Sequence, residues 1–383
     1  MLRQLPDFTE QLRQLVAIPS VSCTTPAYDT GNREVVELLA AWLADSGFIT
    51  EIMEVPGHCN KANLIATLGS GPGGLVLAGH TDTVPCNPEL WQQDPYMLTD
   101  KNGRFYGLGS TDMKGFFPVA LAAAREFSAG DLKQPLIIVA TADEESSMDG
   151  ARALVEAGRP RGRYAVIGEP TGMRPIRMHK GMMMESVRVE GRAGHSSDPS
   201  LGNNALEAMH LVMADLLAFR NDLQQRYNNP GFAISVPTLN LGCIHGGDNP
   251  NRICGNCELH FDLRPLPGMD LEDLRHALRR RLRPLAEATA TNIILSQLFP
   301  GVPAFEQATQ SRLVETVERL TGQASQSVAF ATEAPFMQAL GMETLVMGPG
   351  SIDQAHQPDE YIEQSQIEPA IRVLRDLIKQ LCL

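Results

Sequence analysis

The chain has 383 residues, 43% hydrophobic and 20% charged, with a formal net charge of −13. That is an ordinary globular composition, long enough for two domains because single cores stop growing near about 250–300 residues. The acidic balance argues against nucleic acid as a partner, since phosphate recognition needs a basic face. No apolar run approaches a membrane span, and the opening MLRQLPDFTEQLRQL lacks a signal-peptide core, so a cytoplasmic protein is expected. The seven cysteines are scattered and read as reduced thiols. Cys254 and Cys257 form a CxxC, but no second pair completes the four ligands of a closed zinc site.

In chain order, GLVLA (74–78) is a short apolar strand ending at HTD, with His80 and Asp82. DMKGFFPVALAAAREF (112–127) has helical spacing; it is opened by Asp112, where an acid can simply cap the helix, and Pro118 falls in the first turns. PLIIVATA (135–142) is a second strand, followed by Asp143, Glu144 and Glu145. YAVIG (164–168) is a third, followed by Glu169 in GEP. ETLVMG (343–348) reads as a late strand of the same sheet, leading into GPGSIDQAHQPDEY with His356. Strands alternating with helices imply an α/β layer fold with a mostly parallel sheet.

The middle differs in texture. Strand-like MMMESVRVEG (182–191), helical 203–223, strands at 238–244 and 253–265, a basic helix at 272–288 and a strand at 292–299 follow in that order. A β-α-β-β-α-β order is the ferredoxin-like pattern. The expectation is an inserted α+β domain over 181–297, between two parts of an α/β domain at 1–180 and 298–383.

Each His or acid after a strand has a bland reading as a cap or a solvated loop residue. The set is more telling than its members. Two His and several carboxylates converge beyond the carboxyl ends of one sheet, where open α/β sheets bind ligands. Imidazole and carboxylate donors without thiolate suit zinc, or cobalt and manganese. So many ligands exceed the needs of one open site and suit two ions sharing a carboxylate, with one adjacent acid left as general base. The Glu144–Glu145 pair offers that arrangement, and the His80-x-Asp82 spacing lets Asp82 orient the imidazole.

AGHTDTVP, YGLGSTDMKGF, TADEESSMDGA, IGEPTG, GRAGHSSDP and GPGSIDQAHQPDEY together resemble the dinuclear zinc aminoacylase and carboxypeptidase family of the M20 type, over essentially the whole chain. The resemblance implies that His80 and Glu169 hold one metal, Glu145 and His356 the other, and that Asp112 bridges them. It makes Asp82 a support and Glu144 the general base acting on a bridging hydroxide, with two zinc ions per subunit and cobalt as the substitute. It gives His195 an oxyanion role, reached from the partner subunit of a homodimer joined through the inserted lid domain. Asn251 and Arg264 resemble family residues that bind the substrate carboxylate, and Arg252, adjacent to Asn251, is a further candidate although alternation along an extended segment turns it the other way. HKGMMM, LNLGCIHGGDNPNRICGNCELHFDLRPLPGM and ATEAPF resemble the members of that family that act on N2-acetyl-L-ornithine, which makes it the expected small-molecule substrate. Succinyl-diaminopimelate, N-acetylcitrulline, dipeptides and, from another class, a non-catalytic metal-dependent binding protein are the alternatives. Glu333 and Asp353 are the acids available to read an ammonium on the substrate.

Overall fold

The computed structural model describes residues 5–383; the opening MLRQ of the N-terminal stretch lies outside the described residues. The chain divides into two compact units. The first runs to Arg177 and resumes over Gln307–Gln326 and Thr332–Leu383; the second takes Met178–Glu306 and Ser327–Ala331. The second unit runs further than the 181–297 that the sequence pattern suggests, to Met178 on one side and Glu306 on the other.

Six strands form the part of the first unit's sheet that carries the chemistry: β1 (Ile49–Glu54), β2 (Ala62–Leu68), β3 (Leu75–His80), β4 (Leu136–Thr141), β5 (Tyr164–Pro170) and β6 (Glu343–Gly348). Their order is β1-β2-β4-β3-β5-β6. The central four run parallel, while β1 and β2 are added antiparallel at one side. The parallel strands β3, β4 and β5 are mostly apolar and wholly buried, as a sheet covered on both faces requires. Pairing of Leu75 with Leu136 and of His80 with Thr141 brings the ends of β3 and β4 level.

The predicted helix at 112–127 is shorter in the structure, Phe116–Ala124. Asp112 therefore lies in the turns before it and is no helix cap; the cap position is Gly115, without a side-chain bond. The helix is apolar all round and buried, Pro118 sitting in its first turn. Two glycines let it approach the sheet. A Cβ on Gly79, just before His80, would lie 2.3 Å from the Met113 methyl, and one on Gly168, just before Glu169, would lie 2.2 Å from the Phe116 ring. The helix and the turn bearing Asp112 thus close directly onto the strands that bear His80 and Glu169.

The second unit holds four antiparallel strands: Met183–Glu190, Thr238–Gly246, Asn256–Arg264 and Asn292–Gln297. Numbered in sequence, their order across the sheet is 2-3-1-4, the ferredoxin-like arrangement. Helices Ala205–Arg226 and Leu271–Thr289 pack on one face through Met209, Val212, Leu216, Leu274, Leu278 and Leu282. The two cysteines of the CxxC are free and buried in this core. Among the described residues no helix is long and apolar enough to cross a membrane.

Candidate metal centre

The level strand ends place His80, Glu144, Glu145 and Glu169 on one edge of the sheet. His80 is the last residue of β3, and Glu169 is the last but one of β5. The imidazole Nε2 of His80 is 3.1 Å from Asp112 Oδ1 and 3.8 Å from Glu169 Oε1. His356 Nε2 is 3.1 Å from Glu145 and 3.5 Å from Asp112 Oδ2. The two oxygens of Asp112 therefore face two different groups of donors: His80 with Glu169, and Glu145 with His356. In each group the donor atoms lie within 4.8 Å of one another, and the same holds for His80, Glu144 and Glu145.

The tautomer of His80 is set by main chain. Its Nδ1 donates to the carbonyl of Asp82 at 3.0 Å, whereas the Asp82 carboxylate stands 3.7 Å away. One oxygen of that carboxylate accepts the Glu145 amide at 3.1 Å, and the other has no partner. Asp82 thus ties the loop after β3 to the loop after β4.

Electrostatics of these side chains alone favour a cation. Burial pushes Glu144 and Glu169 well above the usual carboxylate range, and neighbouring carboxylates add to it. Burial also raises Glu145, reinforced by Asp112. Burial opposes charge on His80, yet the Asp112 hydrogen bond and surrounding acids hold it well above its ordinary value. His356 is pushed to about 9, first through its bond to Glu145. Glu169 Oε1 is buried without a hydrogen-bond partner. Crowded, desolvated carboxylates with an orphaned oxygen and two convergent imidazoles fit divalent ions, whose charge offsets this repulsion.

Further residues hold the centre and escaped sequence reasoning. Asp143 follows β4 as Glu144 does, but its carboxylate is taken by Lys61, Ser22, Ser146 and Ser147. His58, Asp143 and Asp149 also gather within 4.8 Å; there Lys61 already supplies the cation, so the group is an ion-pair cluster. Buried Glu360 accepts three backbone N–H groups around Asp112, and burial pushes its carboxyl up to about 8. Lys114, lowered to about 7 by burial, donates to the carbonyls of Leu15 and Ile18. Glu333 is fully buried, not a solvated acid; one oxygen meets the Thr141 hydroxyl at 2.9 Å, and burial raises it to about 7. Asp353 is exposed in a surface turn beside Ser351. A pattern that follows strands gives no role to Glu360, Lys114, Glu333 or the Lys61–Asp143 pair, since their partners are main-chain groups or residues distant in sequence.

In the second unit, His195 and Arg252 pair across an isolated antiparallel bridge, and the Ser196 amide donates to the Asn251 carbonyl at 3.1 Å. All three predicted side chains are exposed; Arg252 pairs with Asp248 at 2.6 Å, and His195 Nδ1 accepts from Ser197. Arg264 does not join them. It ends the strand Asn256–Arg264, 2.8 Å from Asp262. With a rise of about 3.3 Å per residue, that strand puts it roughly 26 Å further along the sheet.

The fold and donor set are those of a metal-dependent hydrolase built on an α/β sheet with an inserted α+β domain. The model for "Peptidase family M20/M25/M40" matches residues 76–380, and the chain belongs to that family. It is 49% identical to the acetylornithine deacetylase of Pectobacterium carotovorum subsp. carotovorum strain PC1 over 100% of both chains. Among solved structures it resembles the M20-family metallo-carboxypeptidase Sso-CP2 of Sulfolobus solfataricus, with 16% identity, a TM-score of 0.78 and coverage of 98% and 99% of the two chains. It also resembles the YXEP protein of Bacillus subtilis, described as a dinuclear metal-binding peptidase, with 13% identity, a TM-score of 0.69 and coverage of 98% and 97%.

Proposed function

We propose that the chain hydrolyses N2-acetyl-L-ornithine to L-ornithine and acetate, using two divalent metal ions, zinc by preference. The observation that carries the two-ion reading is Asp112, whose two oxygens face two separate donor groups. His80 and Glu169 would hold one ion, Glu145 and His356 the other, and Asp112 both. When bound, the ions supply Lewis acidity and a nucleophile at neutral pH.

Glu144 is the residue assigned to proton transfer. It lies beside the donor cluster, and its desolvated surroundings keep it more basic than a surface carboxylate. It takes a proton from the attacking water and returns it to the nitrogen leaving as amine, so the base of one step is the acid of the next. Asp82 keeps the two ligand loops in register. The 49% identity to an acetylornithine deacetylase over both full lengths supports the substrate.

The inserted unit is assigned the substrate's carboxylate and oxyanion. His195, Asn251 and Arg252 stand together at one end and Arg264 at the other. A strand-length separation is too long for one small substrate to touch both ends of a single copy. That separation supports a homodimer in which the partner brings its His195 end to the site. Mixing inactive His195→Ala with inactive Glu144→Ala subunits should then restore part of the activity, and verified heterodimers without recovery would refute the shared site.

The substrate is tested by incubating zinc- or cobalt-loaded protein with N2-acetyl-L-ornithine, acetylcitrulline, acetylmethionine and succinyl-diaminopimelate. Free amine and the released acid are measured. Preference for acetylornithine, lost on chelation and restored by metal, is expected. Preference for another of the four would overturn the substrate and keep the chemistry.

A further inference from the structure

Asp112 serves both halves of the cluster with one side chain, so its main chain must be held more firmly than that of an ordinary loop residue. Glu360 is what holds it. Its side chain is buried, 2% exposed, and accepts three backbone N–H groups: Gly109 at 2.9 Å on one oxygen, Thr111 at 2.8 Å and Asp112 at 3.0 Å on the other. The Gly107 amide donates to the Glu360 carbonyl at 3.0 Å, and the Thr111 hydroxyl to the Tyr361 carbonyl at 2.5 Å. The turn from 107 to 112 is thereby clamped by residues 360 and 361.

The clamp comes from the loop that carries the second imidazole. Glu360 follows His356 by four residues and adjoins the strand Tyr361–Glu363, which pairs with Arg104–Tyr106 just before the turn. One carboxyl side chain therefore joins the loop of Asp112 to the loop of His356, and in all three bonds its oxygens accept. A buried donor left without an acceptor is destabilising. A glutamine at this position keeps the size but turns an NH2 group towards an amide N–H.

We infer that Glu360 is a positioning residue that sets the spacing of the two ion sites, by holding the Asp112 main chain in register with the His356 loop. The inference rests on the two-ion reading above. Glu360 is assigned no contact with substrate. It acts through Asp112, whose outward-facing oxygens move if the turn shifts.

The test compares full-length wild type, Glu360→Gln and Glu360→Asp. Zinc binding is measured by equilibrium dialysis with elemental analysis, folding by circular dichroism, and kcat and KM on acetylornithine with both ions loaded. The folded Gln variant should bind at least one of the two ions about 10–100-fold more weakly, in the range of losses typical of groups that orient metal ligands. Its kcat should fall while KM changes little, and the Asp variant, which keeps two acceptor oxygens, should recover part of the ion affinity and of kcat. A purely architectural role would lower the melting temperature alone. A folded Gln variant with wild-type affinity for both ions and wild-type kcat overturns the inference. If the Gln variant does not fold, wild-type affinities and kcat in the Asp variant overturn it instead. Wild type binding a single ion would sink the two-ion reading itself, and the inference with it.

Discussion

The two halves of the centre meet at Asp112 but are built differently. On one side His80 and Glu169 belong to parallel strands, and their side chains are 1% and 5% exposed. On the other, Glu145 is 7% exposed but His356 is 54% exposed, on a loop with φ of 59°. The first half is part of a close-packed sheet, and the second depends on a surface loop. Rigid elements hold ligands at fixed geometry more surely than loops do, so the His80 side should bind its ion more tightly and exchange it more slowly.

That contrast can be broken at several points. The largest effect is expected at the shared residue: Asp112→Ala should lose both ions and all measurable turnover, as read by elemental analysis and acetate release. Next, Glu144→Ala should keep both ions while kcat falls by about 10²–10⁴, the range for a general base; loss of metal would make Glu144 a ligand instead. His356→Ala should lose one ion and leave the other, whereas His80→Ala should also lower the melting temperature, because it leaves buried carboxylates without their imidazole. Equal losses from the two variants would remove the distinction between the halves. Graded chelation should likewise release the ions in two steps, and a single step would contradict it.

The smallest effect concerns burial without a compensating charge. His179, in the second unit, is fully buried, and burial lowers it to about 4. The unfolded chain binds a proton there at higher pH than the folded one. Stability is therefore lost as pH falls from about 6.5 towards 4, by about 3 kcal/mol at most. Unfolding of wild type and His179→Phe across that window should show a shallower pH slope in the variant.

Much of this was legible in the sequence, for definite reasons. Apolar runs ending in His or acids marked β3 to β6, because buried parallel strands have no alternation to hide and their ends must turn polar. The candidate donors His80, Glu145, Glu169 and His356 follow those ends, while their division between two ions rests on the family resemblance. The antiparallel strands β1 and β2 escaped notice, since ITEIME and ANLIATL carry no chemistry at their ends. Asp112 is legible as a loaded residue, but its turn reads as helix in the sequence because an acid can cap a helix and the alanine-rich pattern follows it. Asp143 looked equivalent to Glu144; only the fold reveals Lys61 against it. Glu360 stood in a loop already singled out for His356, yet its partners are amide groups, which every residue carries and no pattern can distinguish.

The most direct test of the central claim is anomalous diffraction at the zinc edge from crystals of the zinc-loaded protein. Two peaks are expected, about 3.5–4 Å apart, one against His80 and Glu169 and one against Glu145 and His356, with Asp112 between them. A single peak at saturating zinc, or strong density at His58 and Asp149 instead, would contradict the two-ion centre.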